Sequence, residues 1–175
     1  MNDVMIDLET MGTGPRAAII AIGAVLFDLK TGELSQTFLQ SVDLESSMLM
    51  GGEVTAGTIE WWMKQSEEAK LVFTDSHKSS IHHALLSFSR FIDKYSARGL
   101  KVWGNGSDFD NVILRGAYDR CGMETPWEFR NSRCYRTVKN LFPDIKFEPS
   151  GVAHNALDDA TAQATHLIRM IGGKS

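Results

Sequence analysis

The chain has 175 residues, 43% of them hydrophobic and 23% charged, with a formal net charge of -4. These values fit one globular domain over residues 1–175 that is long enough to bury a core, and they argue against a second full domain. The acidic balance excludes a global basic field, so any polyanionic partner has to be attracted by local clusters or by metal ions.

Cys121 and Cys134 show neither CxxC nor Cys/His spacing, so neither a structural zinc site nor a disulfide framework is suggested. Both are expected as free buried thiols in a reducing compartment. Asp3, Asp7 and Glu9 interrupt any signal-peptide core, and no apolar stretch approaches a membrane span. A soluble, cytoplasmic protein without a membrane partner is the expectation.

An apolar run opens the chain and ends in Asp7-Leu8-Glu9. On a strand these two carboxylates point to one face. Like charges so placed repel in an apolar surround, and a bound cation is the usual reason for both to stay ionised. Thr13 to Arg16 reads as a turn, and Ala17 to Phe27 as a strand buried on both faces with Gly23 inside it. Asp28 to Gly32 reads as a hairpin connection, followed by a third antiparallel strand over roughly Leu34 to Val42.

Met48 to Gly52 is expected to be an irregular loop, and Thr55 to Lys64 a short helix with Thr55 or Thr58 as cap. That helix carries Trp61 and Trp62. One should pack on the sheet and the other cover a seam between helices, the alternative being a stacking platform for a base. Between Ser79 and Tyr95, Ile81, Leu85, Leu86, Phe88, Phe91, Ile92 and Tyr95 recur at helical spacing and leave His82 and His83 on the solvent side.

Leu100 to Trp103 reads as a short strand ended by Gly104-Asn105-Gly106, and Ser107 or Asp108 is expected to cap a helix running to about Cys121. Polar groups at such a strand end sit where α/β folds bind ligands. Arg115, Arg120, Arg130, Arg133, Arg136 and Lys139 interleave with Trp127, Phe129 and Tyr135. This basic region reads either as a contact surface for backbone phosphates or as a solvated face with local ion pairs. Asn131 to Tyr135 is expected as a short fifth strand, Arg136 to Leu141 as a helical turn and Pro143 to Pro149 as a loop.

The last helix begins after Asn155, a good N-cap, with Asp158 placed to answer the cap and the helix dipole. His154 then lies on the approach loop, free to point into a site. At about 100° per residue, Leu157, Ala160, Ala164, Leu167, Ile168 and Ile171 form an apolar stripe bordered by Asp159. Ala156, Ala160 and Ala164 would let this helix approach the strands closely.

Asp-x-Glu alone is weak evidence, since it is expected on the order of once in a chain of this size. Asp43-Leu44-Glu45 repeats it and is assigned to strand-end solvation or capping. Specificity comes from the order: Asp7-x-Glu9 near the start, Phe109-Asp110 opening a helix, and His154-x-Ala156-x-x-Asp159 opening the last helix. In this order the chain closely resembles the DEDD exonuclease superfamily with a histidine in its third motif, the DnaQ-like 3′-5′ exonucleases. It is most similar to a phage-type and mycobacterial-type exoribonuclease-like branch.

The resemblance implies an α/β, RNase H-like fold: a mixed sheet of about five strands, three antiparallel and then parallel, with helices on both faces. It also implies a 3′-5′ exonuclease that releases nucleoside 5′-monophosphates from single-stranded RNA or DNA with a free 3′ end. Asp7, Glu9, Asp110 and Asp159 are then the ligands of two Mg²⁺ or Mn²⁺ ions, for which hard carboxylate oxygens are suited, and His154 is the general base. Thr10, Met11, Gly12, Trp61, Trp62, Asn105, Phe109 and Arg133 are the candidate substrate contacts.

Two departures stand out. Met11 occupies a position where the family commonly has threonine, and Asp108 is an additional acid beside Asp110. The Phe-Asp match and the apolar Val112 to Leu114 that follow select Asp110. Other readings remain open: a hydrolase of very short oligonucleotides, or a catalytically silent nucleic-acid-binding module, which would gain nothing from concentrated acids near phosphates. An exposed Trp61 or Trp62 would offer a homodimer surface. No residue is an evident reader of the 2′-hydroxyl, so RNA and DNA both stand.

Overall fold

Turn chemistry sets the order of the first strands in the structure, a computed structural model describing residues 1–173. Asp28 Oδ1 accepts the backbone N–H groups of Lys30 (2.8 Å) and Thr31 (3.1 Å), and Gly32 closes the turn at φ +76°. This hairpin joins β2 (Ile19–Phe27) to β3 (Leu34–Ser41), while β1 (Asp3–Thr10) pairs antiparallel with the other edge of β2. β4 (Lys101–Gly104) and β5 (Ser132–Cys134) then add in parallel, giving the order β3-β2-β1-β4-β5. The expected mixed five-stranded α/β sheet is therefore present, with β1 at its centre.

Alternation along β1 decides which side is core and which is site. Val4, Ile6 and Leu8 join the apolar cluster with α4 (Ile81–Tyr95) and α5 (Asp110–Arg120). Met5 faces the other way, into the cluster with α6 (Tyr135–Leu141) and α7 (Ala156–Ile171). Asp7 and Glu9 continue the Met5 face, so strand periodicity alone aims both carboxylates at α7. As expected, His82 and His83 stay exposed on α4.

α7 lies close against the sheet because β2 carries glycine at the crossing point. Gly23 is the register partner of Asp7, and a Cβ there would collide with the Ala156 and Leu157 backbone. The buried side of α7 is shifted from the expected stripe: Gln163, His166 and Met170 are buried along with Ala160, Ala164 and Leu167, whereas Leu157, Ile168 and Ile171 are only half-buried.

Several local expectations are corrected. Met48 and Leu49 are not loop: α1 (Leu44–Leu49) forms, capped by Asp43, whose Oδ1 accepts the Ser46 N–H at 2.8 Å. The second Asp-x-Glu is thus a capping sequence. α2 (Ala56–Met63) starts at Thr55, but the Thr55 hydroxyl bonds that of Thr58 (2.9 Å) and makes no cap bond to the backbone. α3 (Glu67–Lys70) and a 3₁₀ turn (Leu71–Phe73) place Ala69 and Phe73 around Trp62. Both cysteines are half-buried free thiols, and Cys134 caps α6 by accepting the Thr137 N–H at 3.4 Å. Among the described residues, no helix is long and apolar enough to cross a membrane.

Candidate active site

Asp110, the first residue of α5, joins three elements through one carboxylate. Oδ1 accepts the Leu8 N–H of β1 (3.2 Å), and Oδ2 accepts the Asn105 N–H after β4 (2.7 Å). The β1–β4 pairing ends at Met5, so the carboxylate supplies a bond that β4 no longer makes. A Cβ at Gly104 would lie 2.9 Å from Asp110 Cβ and 2.7 Å from Asn111 Oδ1, so glycine is what admits this close approach. Neither Ser107 nor Asp108 caps α5: its N-cap is Phe109, with no side-chain cap bond. Asp110, not Asp108, is the acid turned to β1.

His154 is held by the start of α7. Asp159 Oδ2 accepts its backbone N–H at 3.0 Å, and His154 adopts φ +63°, the one non-glycine residue in the left-handed region among the described residues. Such a backbone costs about 1–3 kcal/mol and persists only where its surroundings over-determine it. The loop supplies that support. Asn155 Oδ1 caps the helix by accepting from Leu157 (3.1 Å) and Asp158 (3.2 Å). Asp158 does not answer the cap as expected: its Oδ2 accepts the Val152 N–H at 2.8 Å and ties down the approach loop instead.

The two tryptophans divide the work at the other wall. Trp62 is buried beside Met11, Ala18 and Ile20, and its Nε1 donates to the Thr10 carbonyl at 3.0 Å. Trp61 keeps 41% of its surface exposed and sets its ring edge-on to His154, with centroids 4.8 Å apart. It covers no seam between helices but lines a cavity of about 700 Å³ that also contains Asp7, Glu9, His154 and Asp159. Thr10, Gly12, Trp62, Asn105 and Phe109 line the same cavity.

Met11 and Arg133 do not line it. Met11 is consumed by the core under Trp62. Arg133 lies on β5, before the chain reaches the cavity, and its Nη1 donates to the carbonyls of Arg130 (2.7 Å) and Ser132 (3.0 Å). The cations that reach the cavity are Arg136 and Lys139 on α6.

Burial raises all four acids, and at Asp7 and Glu9 the charges of the other acids add to it. Burial, then Asp110 and Asp159, raises Asp7 well above the usual carboxylate range, against a hydrogen bond from Gln163. Burial, then the charges of Asp7, Asp159 and Asp110, pushes Glu9 up to about 10. Burial lifts Asp110 to about 6 against its backbone donors and the charge of Arg136, and also raises Asp159. Among the described residues, no ion pair involves any of the four. Arg136 lowers Asp110 and His154 lowers Asp159 without forming an ion pair, and carboxylates buried together with so little compensation fit a cation of high charge density. One ligand atom each from Glu9, His154 and Asp159 lie within 4.8 Å of one another, a donor set suited to such an ion.

Gln163 escaped the sequence reading. One turn after Asp159, its Nε2 donates to Asp7 Oδ1 at 2.8 Å, while its buried Oε1 has no partner. The available signal was its position four residues from Asp159, on the same helix face and inside the alanine stripe.

A family model described as the 3′-5′ exoribonuclease Rv2179c-like domain matches residues 2–171. The chain belongs to that family. This Rv2179c-like chain is 35% identical over 127 residues to the exodeoxyribonuclease of Enterobacteria phage T4, a match covering 65% of the chain and 54% of that protein. It therefore spans about half the length of that curated relative. Among solved structures, the nuclease domain of 3′hExo, a DEDDh family member bound to rAMP, superposes with a TM-score of 0.61 at 17% identity, covering 96% of this chain and 90% of that one. E. coli exonuclease I in complex with a dT13 oligonucleotide gives 0.60 at 13% identity, covering 96% of this chain and 39% of that one. At such identities the likeness establishes the fold, which the Rv2179c-like chain shares with RNase H-like DEDDh nucleases.

Proposed function

We propose that the chain is a metal-dependent 3′-5′ exonuclease that shortens single-stranded RNA or DNA by one nucleoside 5′-monophosphate at a time. One observation carries this reading. Asp7 and Glu9 from the first strand, Asp110 from the middle of the chain and His154 with Asp159 from the last helix converge on one site, with no basic side chain paired to the acids. The family match, the phage exodeoxyribonuclease relative and the DEDDh neighbours support it.

Asp7, Glu9, Asp110 and Asp159 would hold two divalent ions, Mg²⁺ or Mn²⁺. When bound, such a pair activates the attacking water and stabilises charge on the leaving oxygen. The neutral imidazole of His154 takes the proton of that water at a ring nitrogen, its ring braced by Trp61 and its backbone by Asp159. The bond that breaks is between phosphorus and the 3′ oxygen, which leaves a 3′-hydroxyl on the strand and the phosphate on the released nucleoside. Gln163 fixes the orientation of Asp7. Trp61 and Phe109 offer aromatic surface to the terminal base, with Thr10, Gly12 and Asn105 at the polar edge.

A second role for His154 is favoured by its grouping with Glu9 and Asp159 as a third ligand. The two roles separate under His154→Ala: loss of turnover with unchanged Mn²⁺ affinity marks a base, whereas weakened Mn²⁺ binding marks a ligand.

The activity test uses matched 5′-labelled RNA and DNA strands with Mg²⁺ or Mn²⁺. The expected result is a ladder receding from the 3′ end, abolished by chelator and by Asp7→Ala. Strands left at full length in both metals by well-folded protein would sink the reading. In a length series, cleavage confined to a few nucleotides would assign the chain to short oligonucleotides.

A further inference from the structure

The cavity has two unlike walls. Thr55, Thr58 and Trp61 from the α2 side bring no cation, whereas α6 brings Arg136 and Lys139, with Phe147 beside them. Arg136 is set in place by Asn105, to whose carbonyl Nη2 donates (2.7 Å) and to whose Oδ1 Nε donates (3.3 Å). Its guanidinium lies over Gly106, where an added Cβ would come within 3.7 Å of Nη1. The Lys139 ammonium stands 5.2 Å from the centre of the Phe147 ring.

Phe147 is itself braced. His166 meets it edge-on at 5.6 Å, and His166 is pinned between the Ile145 carbonyl (Nε2, 2.7 Å) and the Tyr135 hydroxyl (Nδ1, 2.7 Å). A carbonyl only accepts, so Nε2 carries the proton, and in the neutral ring Nδ1 accepts from Tyr135. The aromatic face beside Lys139 is thus backed by a hydrogen-bonded histidine.

Arg136 acts on the acids only from a distance, its charge lowering Asp110 behind the backbone donors and without contact. Among the described residues, neither Arg136 nor Lys139 forms an ion pair with any carboxylate, although both open onto the acidic cavity. Two cations one helical turn apart, neither in an ion pair and Arg136 held by Asn105, beside an aromatic ring, make the elements of a phosphate-and-base contact.

We infer that Arg136, Lys139 and Phe147 form a subsite for the penultimate nucleotide of the strand, the cations taking its 5′ phosphate and the Phe147 ring its base. This rests on reading the cavity as a nuclease site. It also sets a substrate class: strands with a phosphate beyond the scissile one, in preference to unphosphorylated dinucleotides.

The test is a binding cycle in Ca²⁺ with 5′-fluorescent trithymidylate, whose upstream linkage is either a phosphodiester or a neutral methylphosphonate. The all-diester strand should bind the Lys139→Gln variant roughly tenfold more weakly, consistent with the loss of one charge-assisted contact. Its log-log salt slope should fall by about 0.7, the value for one single-strand phosphate contact. The methylphosphonate strand should lose less than about twofold by the same coupling argument, and Lys139→Arg should restore diester binding. Equal losses on both strands, no loss on either, or no binding by the unsubstituted protein would overturn the subsite. Cleavage of the diester strand in Mn²⁺, read separately, reports the nuclease reading, so either idea can fail while the other stands.

Discussion

Glu9 is buried among Asp7, Asp159 and Asp110, and at neutral pH the metal-free fold keeps on it a proton that the unfolded chain would release. Glutamine preserves the shape and removes that cost. Glu9→Gln should therefore lower turnover by at least about 10³-fold, since a metal-site ligand supports several kcal/mol of transition-state stabilisation. In chelator the same variant should melt higher by roughly 2–4 °C, the equivalent of about 1 kcal/mol in a chain of this size. Parallel activity and calorimetry check both signs; a variant that loses activity and also melts lower in chelator would contradict the repulsion argument. Gln163 acts one step further out. Gln163→Leu breaks the bond to Asp7 Oδ1, and loss of such a support costs roughly 10–100-fold in metal affinity or activity. A Mn²⁺ titration of activity should show the half-saturating concentration shifted upward. The five residues proposed for the chemistry were legible because their types and order are tied to motifs. Gln163 was not, because its importance depends on what it faces; Arg136 and Lys139 stand in the basic region that the sequence marks for phosphates, but nothing in that region's composition separates them from Arg133, which turns away from the cavity.

At the scale of elements, the decisive contact is α7 against β2. Gly23 admits the start of α7 opposite Asp7, and that start carries His154 on one side of Asn155 and Asp159 on the other. Gly23→Ala drives a methyl into the Ala156 and Leu157 backbone, an overpacking that costs about 1–3 kcal/mol. Because the displaced segment is the one bearing His154 and Asp159, activity should fall further than stability predicts. Denaturant titration and kcat on the same preparation check this; a variant destabilised but fully active at temperatures where it is folded would show that the contact is structural only. The long elements β1, β2, α4 and α7 were readable because each spans enough residues for its period to show. α1 was not. Its six residues have no apolar repeat, and it is held by tertiary bonds, with Ser47 Oγ accepting from Ile19 (3.0 Å) and Ser46 Oγ from Ile81 (3.0 Å). The start of α5 was misread for a related reason: Asp110 spends its carboxylate on two other strands' ends, so the helix begins without the side-chain cap that Ser107 or Asp108 offered.

The proposed metal site should show in the pH dependence of the whole molecule's stability. Asp7, Glu9, Asp110 and Asp159 all have pKa values raised in the metal-free fold, so the native state binds more protons than the unfolded chain above about pH 4. Stability contributed by these groups is complete below their unfolded values and is lost as pH rises. Asp110 enters first, between its ordinary 3.8 and about 6, and Glu9 extends the loss from 4.5 towards about 10. In chelator the melting temperature should therefore fall between pH 5 and pH 9, a direction opposite to that of a fold held by ionised, salt-bridged acids. A divalent ion binds the deprotonated carboxylates, so its stabilisation grows with pH as protons stop competing, and saturating Mn²⁺ should flatten or reverse the slope. Thermal melts across that range, with chelator and with Mn²⁺, test this directly. A metal-free melting temperature that rises over the same window, or a Mn²⁺ increment that shrinks as pH increases, would mean that the clustered carboxylates are not what sets the stability of this fold.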